Sequence, residues 1–407
     1  MRTIKKEFLD IYYVWVNEMK VVFSDSAAIL LFILVPLLYP LLYGFIYNNE
    51  TVREVAMVVV DNSHSSLSRE FVRKVDASPD VRVIGYASDM IEAEEAMKRK
   101  EAYGILYFPH DFSRNLHTQK QTQVNLYADM RSLLYYKSLL LAATEVSLDM
   151  GAGIRVEEMG YKSQIEDEAT MQAVTNEWIS LYNPQNGFGS FLVPAVLILI
   201  IQQTLLLGIG TIMGTHRDRK RFTVASQVSA GKKVGVITLT VGKAFCYSSL
   251  YLIISAWVFR VIPYIFKLPQ IGDPITLGAF LMPYLLSATF FAMTLSYFCS
   301  QREFAMLLFV FTSVPFLFLS GISWPWVAVP APLKAVAYIL PSTPGIHGFV
   351  KINTMGAALT EVWFEYIALW IQAGIYCIAA AVMYKWWIRN YDPEYQGMVK
   401  PVKKAVV

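Results

Sequence analysis

One apolar segment near the start of the chain is separated from all the others by a long polar stretch. Ala27–Ile46 carries no charged residue and is 20 residues long, which matches the roughly 20 residues that a helix needs to cross about 30 Å of hydrocarbon. Its two prolines, Pro36 and Pro40, kink membrane helices more often than they abolish them. The preceding residues contain acids as well as bases, so we interpret the segment as a permanent span and not as a cleaved signal peptide.

Five more apolar segments follow in the second half of the chain, which predicts an α-helical polytopic protein with six transmembrane helices. An even number of spans places both termini on one side. The loops and tails of that side carry 16 Lys and Arg residues, against three in the short loops of the other side. Because cytoplasmic loops accumulate Lys and Arg, we expect cytoplasmic termini, a bacterial inner membrane and an extracytoplasmic insertion over 47–190. The later predicted spans are Phe191–Met213, Val234–Ile262, Leu277–Cys299, Phe304–Gly321 and Tyr366–Tyr384.

Charge is divided between the insertion and the rest of the chain. Residues 47–190 hold 14 Lys and Arg residues against 21 Asp and Glu, whereas the remainder holds 21 against 11. The basic residues flank hydrophobic spans without a nucleic-acid-binding motif around them, which disfavours a nucleic-acid partner. All three cysteines, Cys246, Cys299 and Cys377, fall within predicted spans, so the insertion has no disulfide.

The insertion has the pattern of a small α/β domain. Buried-strand patterns over 55–60, 81–86, 103–108 and 123–127 alternate with helical patterns, and this rhythm favours a mainly parallel sheet. A long helical tract at about 131–178 is predicted to return the chain to the membrane. We expect that tract to break near Gly151 and Gly153, because glycine weakens a helix and few apolar residues follow.

The sequence lacks the motifs of several kinds of site. No segment has the spacing of a phosphate-binding loop, and the five histidines form no metal-ligand pair. We therefore expect no catalytic residue, cofactor or metal in this chain, and an ATP site only in a partner. The predicted spans also contain almost no ionisable group of the kind that an ion-driven carrier needs. Lys243, the clearest exception, is expected to extend its ammonium group to the cytoplasmic face.

The cytoplasmic loop 215–233 is the predicted contact for an external motor. It is too polar for the bilayer, and its middle, Phe222 to Val228, has the pattern of a short helix. We hypothesise that it docks an ATPase; the alternative is that its charge only orients the protein in the membrane. A helical stripe within 1–26 predicts an amphipathic elbow helix in the membrane interface. The coupling candidates are Arg217, Arg219, Arg221, Phe222 and Val228.

Three consecutive polar residues, Gln202, Gln203 and Thr204, lie in the middle of the second predicted span. A polar side chain in hydrocarbon is costly unless it is paired or faces a cavity. These residues are therefore candidates for a substrate path; the alternative is a hydrogen bond between helices at a dimer seam.

The segment 322–345 is apolar but interrupted by prolines, which predicts a re-entrant or interfacial hairpin on the outer side. We interpret it as an outer gate, and the alternative is a static lid. The gate candidates are Gly321, Pro325, Pro330, Pro341 and Gly345.

These motifs resemble a known family. Asn183-Pro184 before the second span, Leu319-Ser320-Gly321 followed by prolines, and Leu340-Pro341-Ser342-Thr343-Pro344 followed by Gly356 are similar to the membrane subunits of type-2 ABC exporters, which have the type V exporter fold. The similarity covers essentially the whole chain and is greatest for a drug-efflux-like branch with a large extracytoplasmic domain. It implies an elbow helix, a coupling helix between spans two and three, and a dimer with a second copy or a paralogue. It also implies an ABC ATPase subunit that binds ATP and Mg²⁺, and members of this branch often work with a periplasmic adaptor and an outer-membrane channel.

The resulting prediction is the permease subunit of an ATP-driven exporter, and apolar, aromatic spans favour a lipophilic or amphipathic substrate, drug-like or lipid-like. The alternative is a membrane-anchored scaffold or sensor with an extracytoplasmic ligand-binding domain. The predicted division is elbow 1–26, first span 27–46, α/β domain with its helical return 47–190, spans two to six 191–388 and cytoplasmic tail 389–407.

Overall fold

The computed structural model describes residues 2–118, 120–159, 181–184, 186–218, 235–299 and 301–391. The chain divides into two compact units. A helical unit comprises Met1–Asn48 and Leu181–Val407, and the other unit comprises Asn49–Ser180. The division coincides with the change from apolar to polar sequence on which the predicted insertion depends.

The helical unit contains six helices that are long and apolar enough to cross a membrane within the part of the chain that the structure describes. The predicted number of spans is therefore confirmed. An additional helix, Arg2–Ser24, precedes them and is called the elbow helix below. Spans 1 to 6 are Ser26–Ile46, Phe188–Arg217, Val236–Ile265, Pro274–Ser296, Arg302–Leu319 and Trp363–Arg389.

Proline distorts spans 1 and 3 without ending them. A wider π-helical turn occupies Leu30–Leu34 directly before Pro36, and another occupies Trp257–Val261 directly before Pro263. A proline ring clashes with the carbonyl four residues earlier and offers no N–H to it, and a widened turn relieves this clash. The expectation that Pro36 and Pro40 leave span 1 helical is confirmed, because the helix continues to Ile46.

Span 2 is the central helix of this unit. It packs against span 1, span 4, span 5 and a helix that the sequence analysis did not predict, Ser342–Met355. This helix is largely buried and ends at Gly356, whose positive φ of 73° provides a left-handed C-cap. Between it and span 5, the chain forms a 3₁₀ turn at Trp326–Ala328 and a short helix at Ala331–Ala337.

The second unit contains a four-stranded sheet of β1 (Val55–Asp61), β2 (Val81–Tyr86), β3 (Gly104–Phe108) and β4 (Asn125–Ala128), in the order β2-β1-β3-β4. β1 pairs in parallel with β2 and β3, and β3 pairs in antiparallel with β4. One face of the sheet packs on Ser66–Asp76 and Leu133–Met159, and the other packs on Met90–Lys98. The described part of this unit also contains the short helix Phe112–His117.

The predicted break near Gly151 and Gly153 is wrong, because one continuous helix runs from Leu133 to Met159. Met150 and Ala152 are buried beside these glycines, and Met150 joins the apolar core under the sheet. A glycine in a helix costs about 1 kcal/mol, and burial of a methionine side chain contributes about 1.5–3 kcal/mol. Packing thus offsets the weak local propensity.

Candidate functional site

The elbow helix packs closely against span 3. A Cβ added to Gly242 would lie 2.7 Å from the Cβ of Val14, so only glycine permits this approach without a shift of one helix. The contact is extended by Trp15, whose indole N–H donates to the hydroxyl of Ser249 at 3.0 Å. This packing positions Glu18 over the side chain of Lys243.

Glu18 and Lys243 form an ion pair that is almost completely buried. The Lys243 Nζ lies 2.9 Å from Glu18 Oε2, and each side chain is at most 2% exposed. The hydroxyl of Tyr247 donates to the other carboxylate oxygen of Glu18, and the Tyr384 ring lies 6.0 Å from the Lys243 Nζ. The elbow helix, span 3 and span 6 therefore meet at one buried charge pair. The expectation that Lys243 reaches the membrane surface is wrong, because Glu18 provides a nearer counter-charge.

The carboxyl of Glu18 is held in its ionised form. Burial by itself raises its pKa, but the positive charge of Lys243, a further contribution from His216 and the hydrogen bond from Tyr247 together outweigh burial. The pKa of Glu18 is therefore below its ordinary value. A buried pair of this kind is strongly destabilised when one partner alone is removed, since the other charge is left uncompensated.

Arg217 is held by aromatic rings from two other spans. Its guanidinium carbon lies 5.2 Å from the ring centroid of Tyr297 at the end of span 4 and 5.9 Å from that of Trp387 in span 6. Cations over aromatic faces are attracted by the ring quadrupole, and the attraction increases where water is excluded. Arg217 thus connects the end of span 2 to spans 4 and 6.

The charged turn at 301–303 also docks onto the chain itself. Arg302 donates from Nη2 to Asp25 Oδ1 at 3.1 Å, and Asp25 caps the first turn of span 1 by accepting from Ala27 N at 3.0 Å. A Cβ added to Gly214 of span 2 would lie 2.6 Å from the carbonyl of Gln301. We call Glu18, Asp25, Arg217, Lys243 and Arg302, which share this end of the bundle, the elbow-end cluster.

Of the predicted coupling residues, only Arg217 lies within the described part of the chain. Arg219, Arg221, Phe222 and Val228 lie outside the described residues. The described segments end at Asp218 and resume at Gly235. By the numbering of the sequence, Arg217 lies near the start of the loop and Lys243 lies ten residues beyond its end, so a held cation lies on each side of the segment 219–234.

The three polar residues of span 2 are buried inside the chain. Gln202 Nε2 donates to the hydroxyl of Ser342 at 3.3 Å, and the hydroxyl of Thr312 donates to Gln203 Oε1 at 3.4 Å. Thr204 donates to the backbone of its own helix. Within the described residues, Gln202 Oε1 and Gln203 Nε2 have no hydrogen-bond partner. Their role in a substrate path stays a prediction.

The predicted gate residues lie in different local structures. Gly321 has a positive φ of 78°, and a Cβ there would lie 2.9 Å from the Trp326 ring. Pro325 and Pro330 directly precede the two short helices, and Pro341 directly precedes the helix Ser342–Met355. Gly345 lies inside that helix, where its Cα faces the Tyr284 ring. Gate movement about these positions stays a prediction.

Sequence analysis missed Glu18, although a signal was present. Glu18 stands four residues from Val14 and four from Val22, and both valines are buried. An acid on the apolar stripe of a helix requires a partner, and Lys243 was the one lysine left inside a predicted span. Among the residues with described positions, no group of His, Cys, Asp and Glu is arranged to hold a metal ion.

Comparison with known proteins agrees with this architecture. The family model described as ABC-2 family transporter protein matches residues 27–382, which includes all six spans apart from the ends of the first and last. No curated protein matches the chain. Permeases of this family work with an ATPase partner. The chain therefore belongs to the ABC-2 family of transporter proteins, as a multi-pass membrane permease.

Proposed function

We propose that this permease is the membrane subunit of an ATP-driven exporter, and that a separate ABC ATPase subunit binds the ATP and Mg²⁺. Both termini and the loop 215–233 face the cytoplasm of a bacterial inner membrane, and the sheet-containing unit faces outward. This orientation rests on the excess of Lys and Arg on the loops of one side. A cysteine at Arg114, in the sheet-containing unit, should react with a membrane-impermeant maleimide in whole cells after the outer membrane is permeabilised. Failure to react would indicate the opposite orientation of the protein in the membrane.

The coupling proposal rests on two cations, Arg217 and Lys243, that lie on either side of the segment 219–234 and contact other helices. Arg217 is held by rings of spans 4 and 6, and Lys243 is held by Glu18 of the elbow helix. Movement at the end of span 2 or at the start of span 3 is therefore transmitted to spans 4 and 6 and to the elbow helix. Arg219, Arg221, Phe222 and Val228 then provide the docking surface, and Arg217 transmits its movement.

Docking and transmission can be tested separately. Arg219→Glu with Arg221→Glu should prevent copurification of the ATPase subunit, because the docking surface changes charge. Arg217→Gln should leave copurification intact but abolish stimulation of ATP turnover by substrate, because the contact with Tyr297 and Trp387 is lost. Arg114→Glu, on an exposed helix of the other unit, is the matched control. Normal stimulation in Arg217→Gln would remove this residue from the mechanism, and a chain that never copurifies with an ATPase would favour the scaffold alternative.

The exported substrate is proposed to be lipophilic or amphipathic. The spans offer apolar and aromatic side chains, together with the few polar groups of Gln202, Gln203 and Thr204 in the bundle interior. Such a lining suits a molecule with a large apolar body and a small polar part. Uptake of an amphipathic dye into inverted vesicles, whose cytoplasmic face is outside, should depend on ATP, and a preference for a sugar would contradict the proposal.

A second copy of the chain, or a paralogue, is proposed to pack on span 5. Phe304, Phe311 and Phe318 recur every seven residues on its surface and are 38%, 74% and 59% exposed. A repeat of seven residues keeps one helix face against a neighbouring helix. In a chain with Cys377→Ser, Phe311→Cys should form an oxidised dimer, whereas Ile253→Cys on the exposed face of span 3 should not. Equal crosslinking at both positions would indicate random collision.

The outward unit is proposed to contact a periplasmic adaptor that leads to an outer-membrane channel. Support for this step comes from the resemblance to the drug-efflux-like branch. Copurification of such an adaptor with the full chain, and its loss when residues 55–128 are replaced by a flexible linker, would test it.

A further inference from the structure

An apolar groove runs between the elbow helix and span 3, beside the buried ion pair. Its volume is about 390 Å³, and its lining consists of Phe8, Ile11, Tyr12 and Trp15 on one side and of Val241 and Phe245 on the other. This volume lies in the range of small-molecule sites, roughly 300–1,000 Å³. The groove therefore has room for part of a ligand, and its chemistry selects an apolar one.

The groove is distinct from the contact that fixes the elbow helix. Val14, Glu18 and Val22 form the buried stripe of that helix, with a spacing of four residues. Phe8, Tyr12 and Trp15 form the adjacent stripe, and Phe8 and Tyr12 are 69% and 57% exposed. The groove is thus open along its length and is not an internal packing defect.

On span 3, the groove continues into the face that meets the bilayer. Ile237, Phe245 and Leu252 lie on one side of this helix and are 70%, 59% and 50% exposed. Hydrocarbon is the solvent for such a face in a membrane protein. An acyl chain that covers the exposed face of span 3 can therefore enter the groove without leaving the hydrocarbon.

Two polar groups of the helices that form the groove are already engaged elsewhere. The indole N–H of Trp15 is bound to Ser249, and the ammonium group of Lys243 is paired with Glu18. Neither group provides a site for a phosphate or a carboxylate. Aromatic side chains such as Tyr12 and Trp15 are typical of the headgroup level of a bilayer. The apolar end of an interfacial lipid, and not its headgroup, fits the groove.

We infer that the groove binds one acyl chain of a bilayer phospholipid as a resident lipid. The acyl chain lies between the elbow helix and span 3, against the side chains that line the groove. Bilayer hydrocarbon is as apolar as the groove, so the groove retains a lipid through closer carbon–carbon packing than the open surface of a span provides. This inference rests on the membrane location of the chain and does not depend on the direction of transport.

Substitutions that fill or open the groove test the inference. Val241→Phe places a ring in the groove, and Phe8→Ala with Tyr12→Ala removes one wall at exposed positions where folding is not threatened. Ile253→Phe, on the exposed face of span 3 but outside the lining, is the matched control. The full chain is purified in detergent, supplied with dioleoyl phosphatidylglycerol and examined by native mass spectrometry.

We expect one tightly bound phospholipid in the natural chain and in Ile253→Phe. Both groove variants should bind it about tenfold more weakly, since the loss of about ten carbon–carbon contacts has that effect. Equal retention in Val241→Phe and in the natural chain would overturn the inference. A dimer that forms through Phe245→Cys and excludes the lipid would also overturn it, because the occupant would then be a second copy.

A second measurement does not depend on detergent. In liposomes of a phosphatidylcholine whose sn-2 chain carries two bromine atoms, the fluorescence of Trp15 should be quenched by contact with the brominated chain. The difference spectrum between the natural chain and Trp15→Phe isolates this contribution. The quenched component should disappear in Val241→Phe and persist in Ile253→Phe; an unquenched Trp15 in the natural chain would contradict the inference.

Discussion

Spans 2 and 5 are both apolar enough to cross a membrane, but their surroundings are opposite. In the most apolar stretch of span 2, 94% of the residues are buried within the chain, whereas in that of span 5 only 11% are buried. Span 2 contains Gln202, Gln203 and several glycines, while span 5 is rich in phenylalanine. Lipid is as apolar as a leucine side chain, so apolar character does not drive a helix to the centre of a bundle. Small and polar residues mark the interior instead, because they permit close approach and hydrogen bonds between helices.

The glycines of span 2 show how small residues permit close approach between neighbouring segments. Gly208 faces the Phe32 ring of span 1, and Gly214 faces the backbone of Gln301 and Arg302. Span 5 instead exposes a regular row of large side chains, which suits a partner or lipid. The comparison leads to four predictions, in which substitutions inside the bundle affect the stability of the single chain and substitutions on span 5 affect only assembly.

The largest effect is expected where a buried charge loses its partner. Glu18→Gln keeps an acceptor for Tyr247 but leaves the Lys243 ammonium uncompensated. Removal of one partner of a buried pair costs about 3–5 kcal/mol, so the free energy of unfolding in mixed micelles should fall by that amount. The double variant Glu18→Gln with Lys243→Met has neither charge of this pair and should recover most of the loss. If the double variant is as unstable as the single one, the pair is not the cause.

The next effect compares one substitution at two matched positions. Leu206 of span 2 is 1% exposed, and Leu307 of span 5 is 52% exposed. Leu206→Ala should cost about 2–5 kcal/mol because it leaves a cavity in a packed interior. Leu307→Ala should change the unfolding free energy of the isolated chain by less than about 0.5 kcal/mol. A large, concentration-dependent loss in Leu307→Ala would show that a second copy already covers span 5 in the folded state.

A smaller effect is expected from steric crowding at the end of span 2. Gly214→Ala places a methyl group 2.6 Å from the carbonyl of Gln301, and relief requires a backbone shift that costs about 1–3 kcal/mol. Gly374→Ala in span 6 meets no atom within 4 Å and should stabilise the helix by up to about 1 kcal/mol. Thermal unfolding of the two variants in one detergent measures the difference. Equal stability would mean that the turn 301–303 is not docked on span 2.

The number and approximate positions of the spans followed from the sequence because hydrocarbon imposes one length and one composition on every crossing helix, whereas the helix ends differ from the predicted ones by up to about five residues. The alternation of strands and helices in 55–128 was equally readable, since period-two and period-3.6 patterns differ over short windows. The helix Ser342–Met355 was missed because Pro341 and Pro344 were interpreted as interruptions. Proline is favourable in the first turn of a helix, and Pro344 lies in the first turn of this one.

The elbow-end cluster was only partly predictable, for a different reason. Arg217 was selected by its place in a basic loop, but its aromatic neighbours come from spans about 80 and 170 residues away. Glu18 and Lys243 are separated in sequence by the whole insertion. A sequence reveals that each buried charge needs a partner, but the packing of the elbow helix on span 3 decides which partner it receives.

The smallest effect on stability is expected at Gln202, a buried residue of span 2 that is also a candidate for the substrate path. Its Oε1 is buried without a partner among the described residues, and its Nε2 forms one long contact with Ser342.

Replacement of a poorly satisfied amide by an apolar side chain is nearly neutral or stabilising, so Gln202→Leu should change the unfolding free energy by less than about 1 kcal/mol. Ile201→Leu, at the neighbouring and equally buried position, supplies the matched apolar exchange. A loss above about 2 kcal/mol would show that the amide has a strong partner in the bundle. If stability is preserved, a fall in transport for Gln202→Leu but not for Ile201→Leu would place this amide on the substrate path. Unchanged transport in both variants would show that Gln202 has only a structural role in the packing of span 2.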